Sequence, residues 1–309
     1  MSGGSRLGLH SGEVCRRQVR LSCTTGCTSF MMALIVPTIN RLSRSAGTVY
    51  RGGQIRVTSM KLLDRVYLVG SGANGFDLSD PFDCHIYLLD GGGELALIDV
   101  GAGLGTEDVV ANVEREGFDP RLIRHLVLTH GHADHAGGAY RMKRRLHGPA
   151  VYASAFIADS LREGDEAAIS LDVAKQAGVY PMDYRFEPCA VDCELQEGAT
   201  IDVGSIRLSV IDTPGHSDGH VSLMSDDGHD RVLFAGDVVF FGGKVLLQNI
   251  HDCRLDALTS SLRKLRQLQI SALLPGHLGV SLKNGQRHIE RANVALDKLL
   301  IPEQMLSAW

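Results

Sequence analysis

The sequence predicts an α/β protein built of short strands and helices, and three observations carry that expectation. First, 35 glycines stand against nine prolines in 309 residues, and the glycines cluster in short patches between apolar runs, as tight turns between strands require. Second, from about residue 61 brief apolar runs alternate with helical patterns. Third, two late segments repeat apolar residues at helical spacing, Leu255, Leu258, Leu262 and Leu265 in one and Ile289, Ala292, Leu296 and Leu299 in the other, which marks two core-packing stripes.

The individual elements follow in order. Val66–Val69, Cys84–Leu89 and Glu94–Val100 read as a meander of short strands separated by Gly-rich or Asp/Pro turns. Residues 106–116 read as a helix, His125–Thr129 as a buried strand and Ala136–Leu146 as a second helix. A stretch from about 153 to 178 is expected to be helical, interrupted by Gly164 and ended by Gly178. In Ile206–Val210 apolar residues alternate with Arg207 and Ser209, the period of a half-buried strand, and Arg231–Ala235 reads as another.

Composition narrows the function classes. Hydrophobic residues at 44% and charged residues at 22% exclude disorder along the whole chain. The N-terminal apolar run Phe30–Val36 falls far short of the roughly 20 residues that cross a bilayer. A net charge of −5 offers no general attraction to a phosphate backbone, so neither nucleic acid nor membrane is expected as a partner. Seven cysteines, an odd and irregularly spaced number, favour reduced thiols in a cytosol. Residues 1–50 hold six arginines against the single acid Glu13, a net +5, and are expected to be an unstructured leader, an organelle-targeting segment or an over-extended reading frame. The expected organisation is therefore a leader over 1–60 and one domain over 61–309, with a helical insert at about 153–190.

The strongest chemical signal is Thr129-His130-Gly131-His132-Ala133-Asp134-His135, four potential metal ligands in six positions. It follows an apolar strand and opens a helix, so rigid elements hold it on both sides. Gly131 is expected to let the backbone turn tightly, directing His130 and His132 toward one ion and leaving Asp134 and His135 to face a neighbouring point. Imidazole and carboxylate ligands suit zinc, iron or manganese better than calcium or magnesium. Three further strand ends add His216 in Thr213-Pro214-Gly215-His216, Asp237 in Phe234-Ala235-Gly236-Asp237, and His277 in Leu274-Pro275-Gly276-His277. Five histidines and two aspartates so placed could hold two metals about 3.5–4 Å apart.

With these residues in place the sequence resembles the metallo-β-lactamase-fold hydrolases over roughly 61–309. The resemblance implies an αββα sandwich, two mixed β-sheets flanked by helices. It implies a first metal on His130, His132 and His216, a second on Asp134, His135 and His277, and Asp237 bridging both: two Zn2+ per chain, with Fe or Mn as alternatives. Leu97-Ile98-Asp99-Val100-Gly101 resembles the superfamily's first motif, whose aspartate supports the metal loops, although a turn-forming role for Asp99 fits equally. His220 is expected to brace the turn carrying His216. His85, His125 and His251 are given no site, and Cys189 and Cys193 read as ordinary cysteines rather than ligands. Phe240 or Phe241 could wall a pocket, with core packing expected for at least one.

Two close dications lower the pKa of a shared water and so provide a hydroxide nucleophile, while Asp134 is placed to orient it and pass its proton to the leaving group. The expected reaction is hydrolysis of an ester, thioester or lactone of a small molecule. Glyoxalase II is similar in the metal motifs but carries a C-terminal helical domain for which the 32 residues after His277 leave no room. Acyl-homoserine lactonases are similar in having a helical insertion, here within the 80 residues between His135 and His216, yet usually present a tyrosine where this chain has Phe240. Persulfide dioxygenases use a single iron on matches to His130, His216 and Asp237. A non-catalytic, metal-stabilised binding protein is the remaining alternative. The expected compartment is the cytoplasm, and a homodimer is compatible with the sequence.

Overall fold

The computed structural model describes residues 46–51, 54–228 and 230–305, with side chains from residue 58 onward. Of the leader expected over residues 1–60, positions 1–45, 52 and 53 lie outside these residues. Two sheets form the frame. The first has eight strands in sequential order: β1 (Ala46–Arg51), β2 (Gln54–Leu63), β3 (Val66–Gly70), β4 (Ile86–Asp90), β5 (Leu95–Ile98), β6 (Ile123–Val127), β7 (Ala150–Ser154) and β8 (Cys193–Leu195). It therefore takes up residues ahead of position 61, where the domain was expected to begin. β2 to β5 pair antiparallel and β5 to β8 parallel, the change coming where helices begin to connect the strands.

The second sheet has the order β13-β12-β11-β10-β9, from β9 (Thr200–Val203), β10 (Ile206–Asp212), β11 (Val221–Asp226), β12 (Arg231–Gly236) and β13 (Ala272–Pro275). Only β12 and β13 in it pair parallel. Both sheets are mixed, as the resemblance implied.

Alternation of side chains builds three cores from two sheets. In β4, Tyr87 and Leu89 point between the sheets, where they meet Leu208, Leu223, Phe234 and Leu274, while Ile86 and Leu88 point outward. The outward set packs under helices α1 (Thr106–Arg115), α2 (Ala133–Ala136), α3 (Ala139–Arg145), α4 (Ala158–Glu163) and α5 (Leu171–Gln176). On the other side Leu233, Ala235 and Leu273 pack against α6 (Leu255–Leu265) and α7 (Gln286–Asp297). Every layer is thus apolar on the faces it buries, which makes an αββα sandwich.

Several expectations are adjusted. Leu258, Leu262 and Leu265 are buried in α6, but Leu255, in its first turn, stands 40% exposed. Leu299 belongs to no stripe: α7 ends at Asp297, and Leu299 turns to φ 59° with 94% exposure. The stretch 153–178 begins as the end of β7 and continues as two six-residue helices, α4 ending on left-handed Gly164 at φ 69°. Among the described residues no helix is long and apolar enough to cross a membrane.

Candidate metal centre

All seven residues singled out by their motifs lie at the C-terminal ends of strands, and the structure brings them together. His130 and His132 follow β6, with Asp134 and His135 inside α2; His216 follows β10, Asp237 follows β12 and His277 follows β13. Two groups form. Ligand atoms of His130, His132 and His216 lie within 4.8 Å of one another, as do those of Asp134, His135 and His277. Asp237 stands between them: its carboxylate oxygens are 3.4 Å from His135 Nε2 and 3.5 Å from both His216 Nε2 and His277 Nε2.

What lies behind each imidazole decides which nitrogen faces inward. The Thr129 hydroxyl donates to Asp99 Oδ2 at 2.9 Å and so accepts from His130 Nδ1 at 3.1 Å. His135 Nδ1 donates to Asp99 Oδ2 at 2.8 Å. His132 Nε2 donates to Asp252 at 3.3 Å, and His216 Nδ1 donates to the Leu246 carbonyl at 3.4 Å. The remaining nitrogens all carry lone pairs and converge. His132 Nδ1 and His216 Nε2 lie only 3.0 Å apart, and two lone pairs at that separation need a proton or a cation between them.

The donor set fits a metal centre by a further test. His130 Nε2, His135 Nε2 and Asp237 Oδ1 are buried atoms without a hydrogen-bond partner among the described residues, a costly arrangement unless something electrophilic binds there. Room for it depends on Gly276, where a Cβ would stand 2.1 Å from Asp237 Oδ1 and 2.6 Å from His135 Cε1. Gly131 has a different role from the one expected. Its φ is not positive, and a Cβ there would meet Ile169 Cγ2 at 2.9 Å, so glycine lets the insert approach the ligand loop rather than shaping the turn.

Electrostatics agree with lone pairs directed at a cation. Burial, reinforced by the surrounding imidazoles, holds His130 well below the usual histidine range, and burial pushes His216 down to about 4. Burial would raise Asp134, but the His135 and His277 imidazoles outweigh it and bring its carboxyl down to about 2. Asp237 is likewise kept ionised, against its burial, by His277 and His135. Conversely, the carboxylates of Asp237, Asp134 and Asp99 overcome the burial of His135 and raise it well above its ordinary value. A dication bound there would take the place of the proton on His135 Nε2.

The supporting residues complete the arrangement. Asp99 accepts from the Thr129 amide at 2.8 Å as well as from the two side chains above, so it joins the ligand loop to β5 and is more than a turn former. His220 braces a different turn in addition to its own: its Nδ1 pairs with Thr213 Oγ1 at 2.9 Å, and its Nε2 accepts the Asp237 amide at 2.9 Å. His85, given no site from sequence, links Ser71 Oγ at 3.0 Å to the Leu278 carbonyl at 2.8 Å and so fixes the loop after His277. Asp252, which no sequence argument identified, holds His132 and accepts from Ser170 Oγ at 2.8 Å. The only signal for it was the polar succession His251-Asp252-Cys253. Phe240 is fully buried, Phe241 stacks on His288 with centroids 4.4 Å apart, and neither lines the cavity over the site. That cavity, about 360 Å³, opens over His132, Asp134, His216 and His277 and is walled on one side by the insert through Ile169, Leu171, Ala174 and Tyr180.

A family model described as the metallo-beta-lactamase superfamily matches residues 79–277, well over half of the chain and spanning all seven residues. The chain belongs to the metallo-β-lactamase superfamily. Within the superfamily it is similar to the "Beta-lactamase-like protein 2 homolog" of Caenorhabditis elegans, 27% identical over 219 residues that make up 70% of this chain and 62% of that protein. It is also similar to a hydroxyacylglutathione hydrolase of Nitrobacter winogradskyi, 30% identical over 55% of this chain and 53% of that one. The acyl-coenzyme A thioesterase MBLAC2 of Homo sapiens is 29% identical over 69% of this chain and 76% of its own length. The chain thus spans less than two thirds of the nematode and bacterial relatives. Among solved structures, a HARLDQ-motif mutant metallo-beta-lactamase of Cronobacter sakazakii superposes with a TM-score of 0.61 at 24% identity, covering 79% of this chain and 96% of that one, which establishes the fold.

Proposed function

We propose that this superfamily member is a dinuclear metal hydrolase that cleaves an ester, thioester or lactone bond of a small molecule, with acyl thioesters as the first substrates to test. The observation that carries the reading is the pair of ligand groups joined by Asp237, with buried, unpartnered nitrogens and a carboxylate oxygen directed at two adjacent points. In this reading His130, His132 and His216 hold one Zn2+, Asp134, His135 and His277 the other, and Asp237 lies between them. A pair of dications there supplies Lewis acidity and lowers the pKa of water toward neutrality. Thioesters come first because the relatives named above include a hydroxyacylglutathione hydrolase and an acyl-coenzyme A thioesterase.

The chain's own groups divide the remaining work. Asp134 is the candidate proton carrier, because its side chain is 26% exposed to the cavity whereas Asp237 is 3% exposed. His277 Nε2 and Asp134 Oδ2 stand 3.0 Å apart and would be drawn to the same ion. The apolar face of the insert excludes water from the side where an acyl group would rest. The proposed compartment is a reducing one such as the cytoplasm, in keeping with the free thiols of Cys84, Cys189, Cys193 and Cys253 among the described residues.

The test is elemental analysis and turnover on one purified sample, using thioesters, lactones and aryl esters with oxygen uptake monitored against a persulfide. Two metals per chain with oxygen-independent hydrolysis is the expected result. One iron per chain with oxygen consumption would replace this reading with that of a dioxygenase, and metal without any turnover would leave a binding protein.

A further inference from the structure

Tyr180 closes the insert's side of the cavity and has no structural use for its hydroxyl. The residue is only 8% exposed, and its ring is fixed between two others: it stacks on Phe82 with centroids 5.0 Å apart and an interplanar angle of 23°, and lies 4.9 Å from Tyr184. Tyr184 spends its hydroxyl on the Ala102 carbonyl at 2.8 Å. The Tyr180 hydroxyl makes no hydrogen bond to any described residue and is not sealed from solvent, so it is open to the cavity that Tyr180 lines. The cavity it lines also holds Asp134, His132 and His277.

Its surroundings make this hydroxyl unlike the other polar groups there. Ile169, Leu171 and Ala174 on the same wall are apolar, and the Ser170 hydroxyl already donates to Asp252. Asn74, Gln248 and Asn249 also line the cavity, but on loops where all three are exposed to water. A donor whose ring is held in place acts on developing charge without prior reorganisation. Burial, with the Asp134 carboxylate adding to it, pushes the phenol well above its ordinary value, so it remains a protonated donor at neutral pH.

We propose that Tyr180 is a catalytic residue supplied by the insert: its hydroxyl donates a hydrogen bond to the oxygen of the scissile carbonyl and strengthens that bond as negative charge builds there. The phenol keeps its proton throughout, so nothing but the hydrogen bond changes. This rests on the hydrolase reading above.

Tyr180→Phe retains the ring and its stacking, so the melting temperature and metal content should match the wild type. Turnover is measured on a thioester, an aryl ester and an alkyl ester sharing one acyl group. The expected result is a fall in kcat on the order of 10²-fold, much larger than any rise in KM, and the same loss for all three leaving groups. Calorimetric binding supplies a readout without turnover: a ketone analogue with methylene in place of the thioester sulfur should bind Tyr180→Phe more weakly, while the thioether lacking the carbonyl oxygen should bind both proteins alike. Unchanged kcat and ketone affinity would overturn the proposal. So would a loss that grows with leaving-group basicity, since the bond would then go to the leaving atom. If the wild type hydrolyses none of the three, the hydrolase reading fails, and the ketone–thioether difference still decides the role of Tyr180.

Discussion

The two walls of the cavity hold their side chains by different means. At the strand ends five of the seven candidate ligands are tied from behind by a partner on another element: His130 and His135 through Asp99, His132 through Asp252, and the loops of Asp237 and His277 through His220 and His85. The insert facing them consists of two six-residue helices, too short to be stable alone, which are anchored by Leu161, Ile169 and Leu171 and by the pairing of buried Lys175 with Glu166. It leaves Val173, Val179 and Met182 partly or largely exposed. One wall fixes its atoms by hydrogen bonds from behind, and the other offers a surface. Substitutions on the first should change metal binding and kcat together, whereas those on the second, Tyr180 apart, should change which substrates bind.

The largest effect belongs to the residue that joins the two groups. Asp237→Ala removes the carboxylate shared between them and should lower both metal stoichiometry and turnover, by more than the roughly 10–100-fold that outer-shell partners cost. Gly276→Ala should approach the same result without removing a ligand, because its Cβ would stand 2.1 Å from Asp237 Oδ1. Elemental analysis after dialysis reads both. Full metal occupancy in either variant would mean that the strand-end wall tolerates far more displacement than its bracing suggests.

Next in size is Asp99→Asn. Asparagine accepts the left-handed conformation that Asp99 adopts at φ 58°, so the backbone is undisturbed and only the charge and one acceptor are lost. Metal affinity should fall by about 10–100-fold, read by competition with a chelator. An unchanged affinity would return Asp99 to a turn-forming role.

A smaller effect distinguishes the walls by pH. Burial lowers His85 to about 3, so it is neutral in the folded protein while the unfolded chain takes up its proton near 6.5. The stability His85 contributes is therefore complete above pH 6.5 and is lost as pH falls toward 3, at no more than about 1.4 kcal/mol per pH unit. In metal-free protein, His85→Gln should flatten the decline in melting temperature between pH 6.5 and 4. An identical decline in both proteins would remove His85 from the acid-sensitive set.

The same contrast explains how much could be read from sequence. His130 to His135 occupy six consecutive positions on one strand-to-helix turn, and His216, Asp237 and His277 each end an apolar run, so the candidate ligands and the fold were legible from local pattern. Asp252 and His85 were not. Each acts on a residue more than a hundred positions away, Asp252 on His132 and His85 on Leu278, and long-range pairing of that kind leaves no local period. Tyr180 escaped for the same reason, since its free hydroxyl is recognisable only once Phe82 and Tyr184 are seen to hold its ring. Gly131 shows the converse: its presence was legible but its reason was not, because Ile169 lies far along the chain.

The smallest predicted effect tests the insert as a surface. Val173 lines the cavity and is 39% exposed, so Val173→Ala trims two methyl groups from the wall without opening a sealed core. Full burial of a methylene is worth about 0.8 kcal/mol, and partial exposure reduces the share that a bound acyl chain recovers. KM for a medium-chain acyl thioester should therefore rise by about twofold to fivefold, with KM for the acetyl thioester and kcat for both unchanged. A uniform fall in kcat would mean that α5 positions the reacting group. The catalytic part of the insert would then extend beyond Tyr180, and the rest of that wall could no longer be read as a substrate surface.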